Sequence, residues 1–75
     1  MKELVEYVAR GLVEHPENVS VAEIPQSSIT IYELEVAPDD MGKIIGRQGR
    51  MINALRTLVK AAAVRRGVRV NVEVV

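Results

Sequence analysis

A chain of 75 residues without cysteine is long enough for one small domain, and it excludes disulfides, thiolate nucleophiles and zinc–thiolate sites. Its formal net charge is zero, but residues 1–40 carry a balance of −7 and residues 41–75 a balance of +7. This segregation predicts a basic surface that suits a polyanion, and the alternative is two solvated faces of opposite sign that only attract each other.

The N-terminal residues contain no continuous apolar segment of the kind that a signal peptide needs, because glutamates interrupt the apolar positions. No stretch approaches the roughly 20 apolar residues of a membrane span. We therefore expect a soluble cytoplasmic protein without membrane association, in which residues 1–75 form a single domain. The absence of cysteine is typical of a reducing compartment.

The first half of the chain predicts one helix and two strands. Apolar residues recur at helical spacing from Lys2 to Glu14, and Pro16 lies beyond the helix end. A weak strand is predicted from Asn18 to Ile24, followed by a polar turn. Ile29 to Val36 alternates in polarity, which predicts a strand whose core-facing residues are Thr30, Tyr32, Leu34 and Val36.

The second half predicts two helices and a strand. Pro38 suits a first helical position, and this short helix is expected to stop at Gly46. A longer helix runs from about Gly49 to Arg66 and ends at Gly67. The final strand spans Val68 to Val75. The predicted core positions of the long helix are Ile52, Leu55, Leu58, Val59 and Ala62.

The order helix, strand, strand, helix, helix, strand predicts an α+β fold. The first two strands are close enough in sequence to form an antiparallel hairpin, and the helical crossover makes the last strand parallel to the second. We expect a three-stranded mixed sheet with all three helices packed on one face.

Two glycines lie between the predicted helices of the second half, in the segment Gly46-Arg47-Gln48-Gly49, called the GxxG loop below. A tight junction needs glycine where φ is positive or where another backbone approaches closely. The start of the following helix also leaves amide groups free for a phosphate. The alternative is a simple helix–helix turn, and Gly42 is expected to be a helix-packing position.

The run Ile45-Gly46-Arg47-Gln48-Gly49-Arg50-Met51-Ile52 resembles the Ile-Gly-x-x-Gly-x-x-Ile signature of the KH family, and the element order resembles its type II arrangement. The run from Val36 to Ala63 and the chain length resemble the small bacterial KhpA family, also described as YlqC-like. This resemblance implies single-stranded RNA binding in a shallow groove for about four nucleotides. It also implies roles as an RNA chaperone, in post-transcriptional control and in cell shape.

The resemblance assigns site residues by position. Gly46 and Gly49 would allow close approach of the RNA, and Arg47 and Gln48 would contact phosphates, with Lys43 and Arg50 adding contacts beside the loop. Ile44, Ile45 and Ile52 would supply an apolar floor for the bases. With two tyrosines and no Phe or Trp, base stacking is limited, so we expect low sequence selectivity and a strong dependence on salt.

An enzyme is not expected, because the basic half has Glu73 as its single acid and the chain shows no P-loop pattern. No cofactor and no metal are expected. The alternative function is a protein-interaction module. Here the resemblance implies self-association into a homodimer, or a heterodimer with a larger KH-domain protein of the KhpB or Jag type.

Overall fold

The computed structural model describes the backbone of residues 1–75 and every side chain except that of Arg47. Helix α1 spans Lys2–Leu12, and a 3-10 turn follows at Pro16–Asn18. Strands β1 (Ser20–Pro25) and β2 (Thr30–Glu35) precede helix α2 (Pro38–Arg66), and strand β3 (Val70–Val74) ends the fold. The predicted α+β class and element order are confirmed. Among the described residues, no helix is both long and apolar enough to cross a lipid bilayer.

The sheet has the order β1-β2-β3, so β2 is the central strand. The β1–β2 hairpin is antiparallel, and its turn is closed by the Gln26 N–H, which donates to the Ile29 carbonyl over 2.8 Å. Strand β3 pairs with β2 in parallel, with Tyr32 opposite Val72. The predicted mixed sheet is confirmed, because the chain between β2 and β3 is long enough to cross over the sheet as a helix.

The core lies between one face of the sheet and the inner faces of both helices. As predicted from the alternation of β2, Tyr32, Leu34 and Val36 are buried, whereas Thr30 at the start of the strand is only half-buried. The prediction for Leu58 was wrong, because 56% of this residue is exposed, and Ala63 is buried instead. At about 100° per residue, Leu58 lies roughly 100° from the mean direction of the buried residues of this helix. Those residues are Ile52, Leu55, Val59 and Ala63.

Helix α2 has 29 residues, but its right-handed backbone is interrupted at Gln48, with φ 62°, and at Gly49, with φ 71°. A straight helix of this length would measure about 43 Å, whereas the longest dimension of the molecule is 34 Å. The helix therefore bends, and it consists of an N-terminal arm (residues 38–47) and a C-terminal arm (residues 50–66). These arms are the two predicted helices. The predicted stop of the first of these helices at Gly46 was wrong, because the left-handed residues that interrupt the helix are Gln48 and Gly49.

The outer edge of β3 is capped by side chains. The Val75 N–H donates to the Leu34 carbonyl, and the Thr30 N–H donates to the Arg69 carbonyl. The backbone N–H and C=O groups of the odd-numbered β3 residues therefore point towards β2, and those of Val72 point away from it. The Val72 N–H donates to Asn71 Oδ1 over 3.0 Å, and the Val72 carbonyl accepts from Arg56 Nε over 2.9 Å. Both backbone groups of Val72 that point away from β2 therefore have hydrogen-bond partners within the chain.

Candidate nucleic-acid interface

The two glycines of the GxxG loop differ in what the fold requires of them. Gly49 has a left-handed backbone, which disfavours any residue with a Cβ, although a Cβ there would meet its nearest neighbours at 3.5 Å. Gly46 has no positive φ, and a Cβ there would meet nothing within 4 Å. The fold itself does not need glycine at position 46. The open space above this residue is therefore available to an approaching backbone.

The polar residues around the loop are exposed. Gln48 and Arg50 lie at the surface, and the Lys43 side chain, 51% exposed, forms an ion pair with Glu14. The predicted assignment of Arg47 to phosphate contact falls on a side chain outside the described residues. The non-glycine left-handed residue Gln48 adds a polar side chain at the bend itself. Together these residues give the bend an exposed cationic and polar surface.

The three isoleucines predicted as an apolar floor divide into two groups. Ile44 is 2% exposed and Ile52 is 6% exposed, and both belong to the core. Ile45 is 51% exposed and lies immediately before Gly46. The role of all three in RNA contact stays a prediction. Because Ile44 and Ile52 are buried on either side of the bend, their position favours a supporting role beneath it.

Asp40 fixes the N-terminal arm of α2 to the segment that follows α1. It is 1% exposed, and its two carboxylate oxygens accept hydrogen bonds from the Glu14 N–H at 2.9 Å and the His15 N–H at 3.0 Å. By its place in the sequence, Asp40 is an acid of the first turn of α2, where it complements the helix dipole. A buried carboxylate with two backbone donors instead holds two distant segments together.

Comparison with known proteins identifies the family. The family model described as KhpA/KhpB, KH domain, matches residues 2–74. The chain belongs to this KH-domain family. It is 52% identical to the RNA-binding protein KhpA of Clostridium perfringens and 53% identical to that of Caldanaerobacter subterraneus, each over 75 residues that cover both chains completely. The KhpA of Chlamydia pneumoniae is 47% identical over 74 residues, which cover 99% of this chain and 95% of that protein.

The fold also matches part of a larger protein of known structure. A crystal structure of an Aquifex aeolicus Era variant bound to GDP and AlF4− superimposes with a TM-score of 0.68 at 20% sequence identity. The match covers 96% of this chain and 28% of the Era chain. At this identity, the similarity shows a shared fold.

The KH domain carries a second basic surface that the predicted site left out. An open depression between the end of α2 and the start of β3 is lined by Lys60, Val64, Val68, Arg69 and Asn71, among others. Lys60 lies eleven residues beyond Gly49, which is about 16 Å along the helix. Asn53, Thr57, Lys60 and Val64 recur at helical spacing, so one face of the C-terminal arm leads from the bend to this depression.

The Asp40 anchor of this KH domain makes stability depend on pH. The Glu14 N–H lowers the pKa of Asp40; burial raises it, and the His15 N–H and the charges of His15 and Lys43 lower it further. The net effect is a pKa below the usual value, so this contribution to stability is complete above the ordinary aspartate range. It is lost as the pH falls towards the lowered pKa of the folded state.

We expect Asp40→Asn to lower Tm at neutral pH by about 5 °C, because the amide leaves one of the two partly buried N–H donors without an acceptor. The acid limb of the stability curve should also become flatter than in the parent protein. Thermal unfolding followed by circular dichroism between pH 3 and pH 8 measures both effects. Asp39→Asn is the matched control, since the Asp39 side chain is 85% exposed and should give a nearly unchanged curve. Equal curves for both variants would contradict the anchoring role.

Proposed function

We propose that this KH domain binds single-stranded RNA without catalysing a reaction, and that it holds the RNA backbone at the GxxG loop. The observation that carries this proposal is the bend in α2 at Gln48–Gly49, where exposed polar and cationic residues surround open space above Gly46. The relatives named RNA-binding protein KhpA, identical over about half of their residues, support the same conclusion.

The arrangement favours contact with the sugar–phosphate backbone. The C-terminal arm begins just after the bend, so the positive end of its dipole lies beside Gln48 and Arg50. Neither tyrosine lies on α2 or β3, and Tyr32 is buried, so bases find no exposed aromatic platform beside the loop. We therefore expect weak base selectivity, and an affinity that falls steeply with salt.

We also propose that residues 1–75 act as one domain in the bacterial cytoplasm, as an RNA chaperone or post-transcriptional regulator. The direct experiment is fluorescence anisotropy with a labelled single-stranded oligoribonucleotide of about 12 residues, titrated at salt concentrations from about 50 to 300 mM. Binding that weakens strongly over this range supports the proposal. No detectable binding at the lowest salt concentration would refute it.

A second candidate function is docking to another KH domain, either a second copy of this chain or a larger KhpB-like protein. It is favoured by large apolar side chains at the surface, with Tyr7 78%, Leu58 56% and Val64 77% exposed. A module that serves only this purpose would associate in size-exclusion chromatography with light scattering. It would show no salt-sensitive binding of RNA.

A glycine substitution tests the role of the loop separately from folding. Gly46→Ala should leave the fold intact, or stabilise it by about 0.5–1 kcal/mol, because alanine favours a helix and its methyl group meets no neighbour. The same methyl group should obstruct the RNA backbone, and we expect an affinity about 10-fold lower in the anisotropy assay, equivalent to about 1.4 kcal/mol.

Gly42→Ala is the matched control for this experiment, because Gly42 lies one turn earlier on the same arm and a Cβ there also meets nothing within 4 Å. That open space contradicts the expected helix-packing role of Gly42. The control should gain similar thermal stability and retain the parent affinity. If Gly46→Ala bound RNA as tightly as Gly42→Ala does, close approach at Gly46 would not be part of the interface.

A further inference from the structure

The cation predicted to contact RNA from the N-terminal arm of α2 is already paired with an acid. Lys43 Nζ contacts Glu14 Oε1, and both side chains remain partly exposed, at 51% and 68%. Arg50, on the other side of the bend, forms no ion pair with the described residues. Lys43 and Arg50 therefore differ in how readily a phosphate can reach them.

The backbone at Glu14 is fixed relative to Lys43. Its own N–H donates to the buried carboxylate of Asp40, and the next N–H, from His15, donates to the other oxygen of that carboxylate. Asp40 and Lys43 lie three residues apart on α2, so they are neighbours on the helix surface. The same anchor that joins the two segments thus holds the Glu14 carboxylate beside the ammonium group.

We propose that Glu14 is an internal competitor of the RNA phosphate for Lys43, and that it lowers the affinity of the KH domain for RNA. This inference rests on the proposed function. A carboxylate and a phosphate oxygen bind the same ammonium group, so RNA must displace Glu14 before Lys43 contributes to binding. The pair is partly exposed, and exposed ion pairs are weak, so the competition adjusts affinity without preventing binding.

The test compares two carboxylate-to-amide substitutions of equal charge and similar location. Glu14→Gln should raise the affinity for the single-stranded oligoribonucleotide about two- to fivefold at low salt, the range expected from releasing one exposed ion pair. Glu17→Gln removes the same charge three residues further on, where the Glu17 carboxylate faces His15 at 3.7 Å. The control should stay within about 1.5-fold of the parent affinity, apart from a weak general effect of net charge.

A double-substitution cycle identifies the partner. Lys43→Gln should weaken binding only slightly in the parent protein, where Glu14 already occupies the ammonium group. In the Glu14→Gln background, the same Lys43→Gln change should remove the whole gain in affinity. Because the hydrogen bonds from residues 14 and 15 to Asp40 use backbone N–H groups, all variants should keep the parent Tm within a few degrees.

The outcomes separate the two proposals. RNA binding by the parent protein with equal affinities for Glu14→Gln and Glu17→Gln would overturn the competition and leave the proposed function standing. A gain in affinity that persists after Lys43→Gln would also overturn it, since the effect would then be one of general charge. No binding of RNA by the parent protein or any variant would refute both proposals together.

Discussion

The double substitution Arg47→Asp with Gln48→Asp is expected to lower the affinity for single-stranded RNA by at least about 100-fold at moderate salt, because two carboxylates would face the phosphates at the bend. Folding should be unaffected at position 48, where aspartate is one of the residues that tolerate a left-handed backbone. Anisotropy titrations measure the affinity, and circular dichroism and light scattering measure the fold and the oligomeric state.

The matched control changes the net charge by the same three units elsewhere on α2. Ala61→Asp with Arg65→Asp alters two exposed residues on the outer face of the C-terminal arm, away from the buried stripe. It should weaken binding by less than about fivefold, through the long-range field alone. Equal losses in the two double variants would mean that RNA responds to total charge, and the loop assignment would be wrong.

The second large effect concerns the packing that supports the bend. Leu55→Ala on the C-terminal arm should destabilise the domain by about 2–5 kcal/mol, because Leu55 is 1% exposed and its truncation leaves a cavity under α2. A domain of this size has a total stability of roughly 4–11 kcal/mol. We therefore expect Tm to fall by at least about 10 °C in thermal denaturation.

Leu58→Ala, on the same arm and with the same change of side chain, is the control. Leu58 is 56% exposed, so its truncation should change the free energy of unfolding by less than about 1 kcal/mol. If the two variants were equally destabilised, Leu58 would face the core as Leu55 does, and the orientation of α2 about its axis would be wrong. The oligomeric state of Leu58→Ala also reports whether this exposed side chain takes part in docking.

Most of the fold could be predicted from the spacing of apolar residues and from the positions of the glycines. The alternation of β2 predicted the buried face of that strand, because one face of the sheet packs on a single core. The end of the second helix at Gly67 followed from the same reasoning, and its φ of 70° confirms a left-handed cap. The burial of Leu58 was predicted wrongly because it lies three residues after Leu55. On a helix, that spacing places a residue either within the buried face or at its edge.

The bend shows why the candidate site was predicted only in part. Glycine identified the junction, but Gln48, a residue with a Cβ, shares the left-handed backbone with Gly49. Such a position follows from tertiary strain and has no sequence signal of its own. The contacts of Asp40 with residues 14 and 15 and of Arg56 with Val72 join segments 16 or more residues apart, so local patterns could not reveal them.

The bonds that Arg56 and Asn71 make to Val72 affect how copies of the domain meet one another. An exposed edge strand with unpaired N–H and C=O groups can pair with a strand of a second chain, which leads to aggregation. On β3 the middle peptide groups are already engaged, and on β1 the last residue, Pro25, has no amide hydrogen to offer. Growth of the sheet by strand addition is accordingly disfavoured at the middle of β3 and at the Pro25 end of β1.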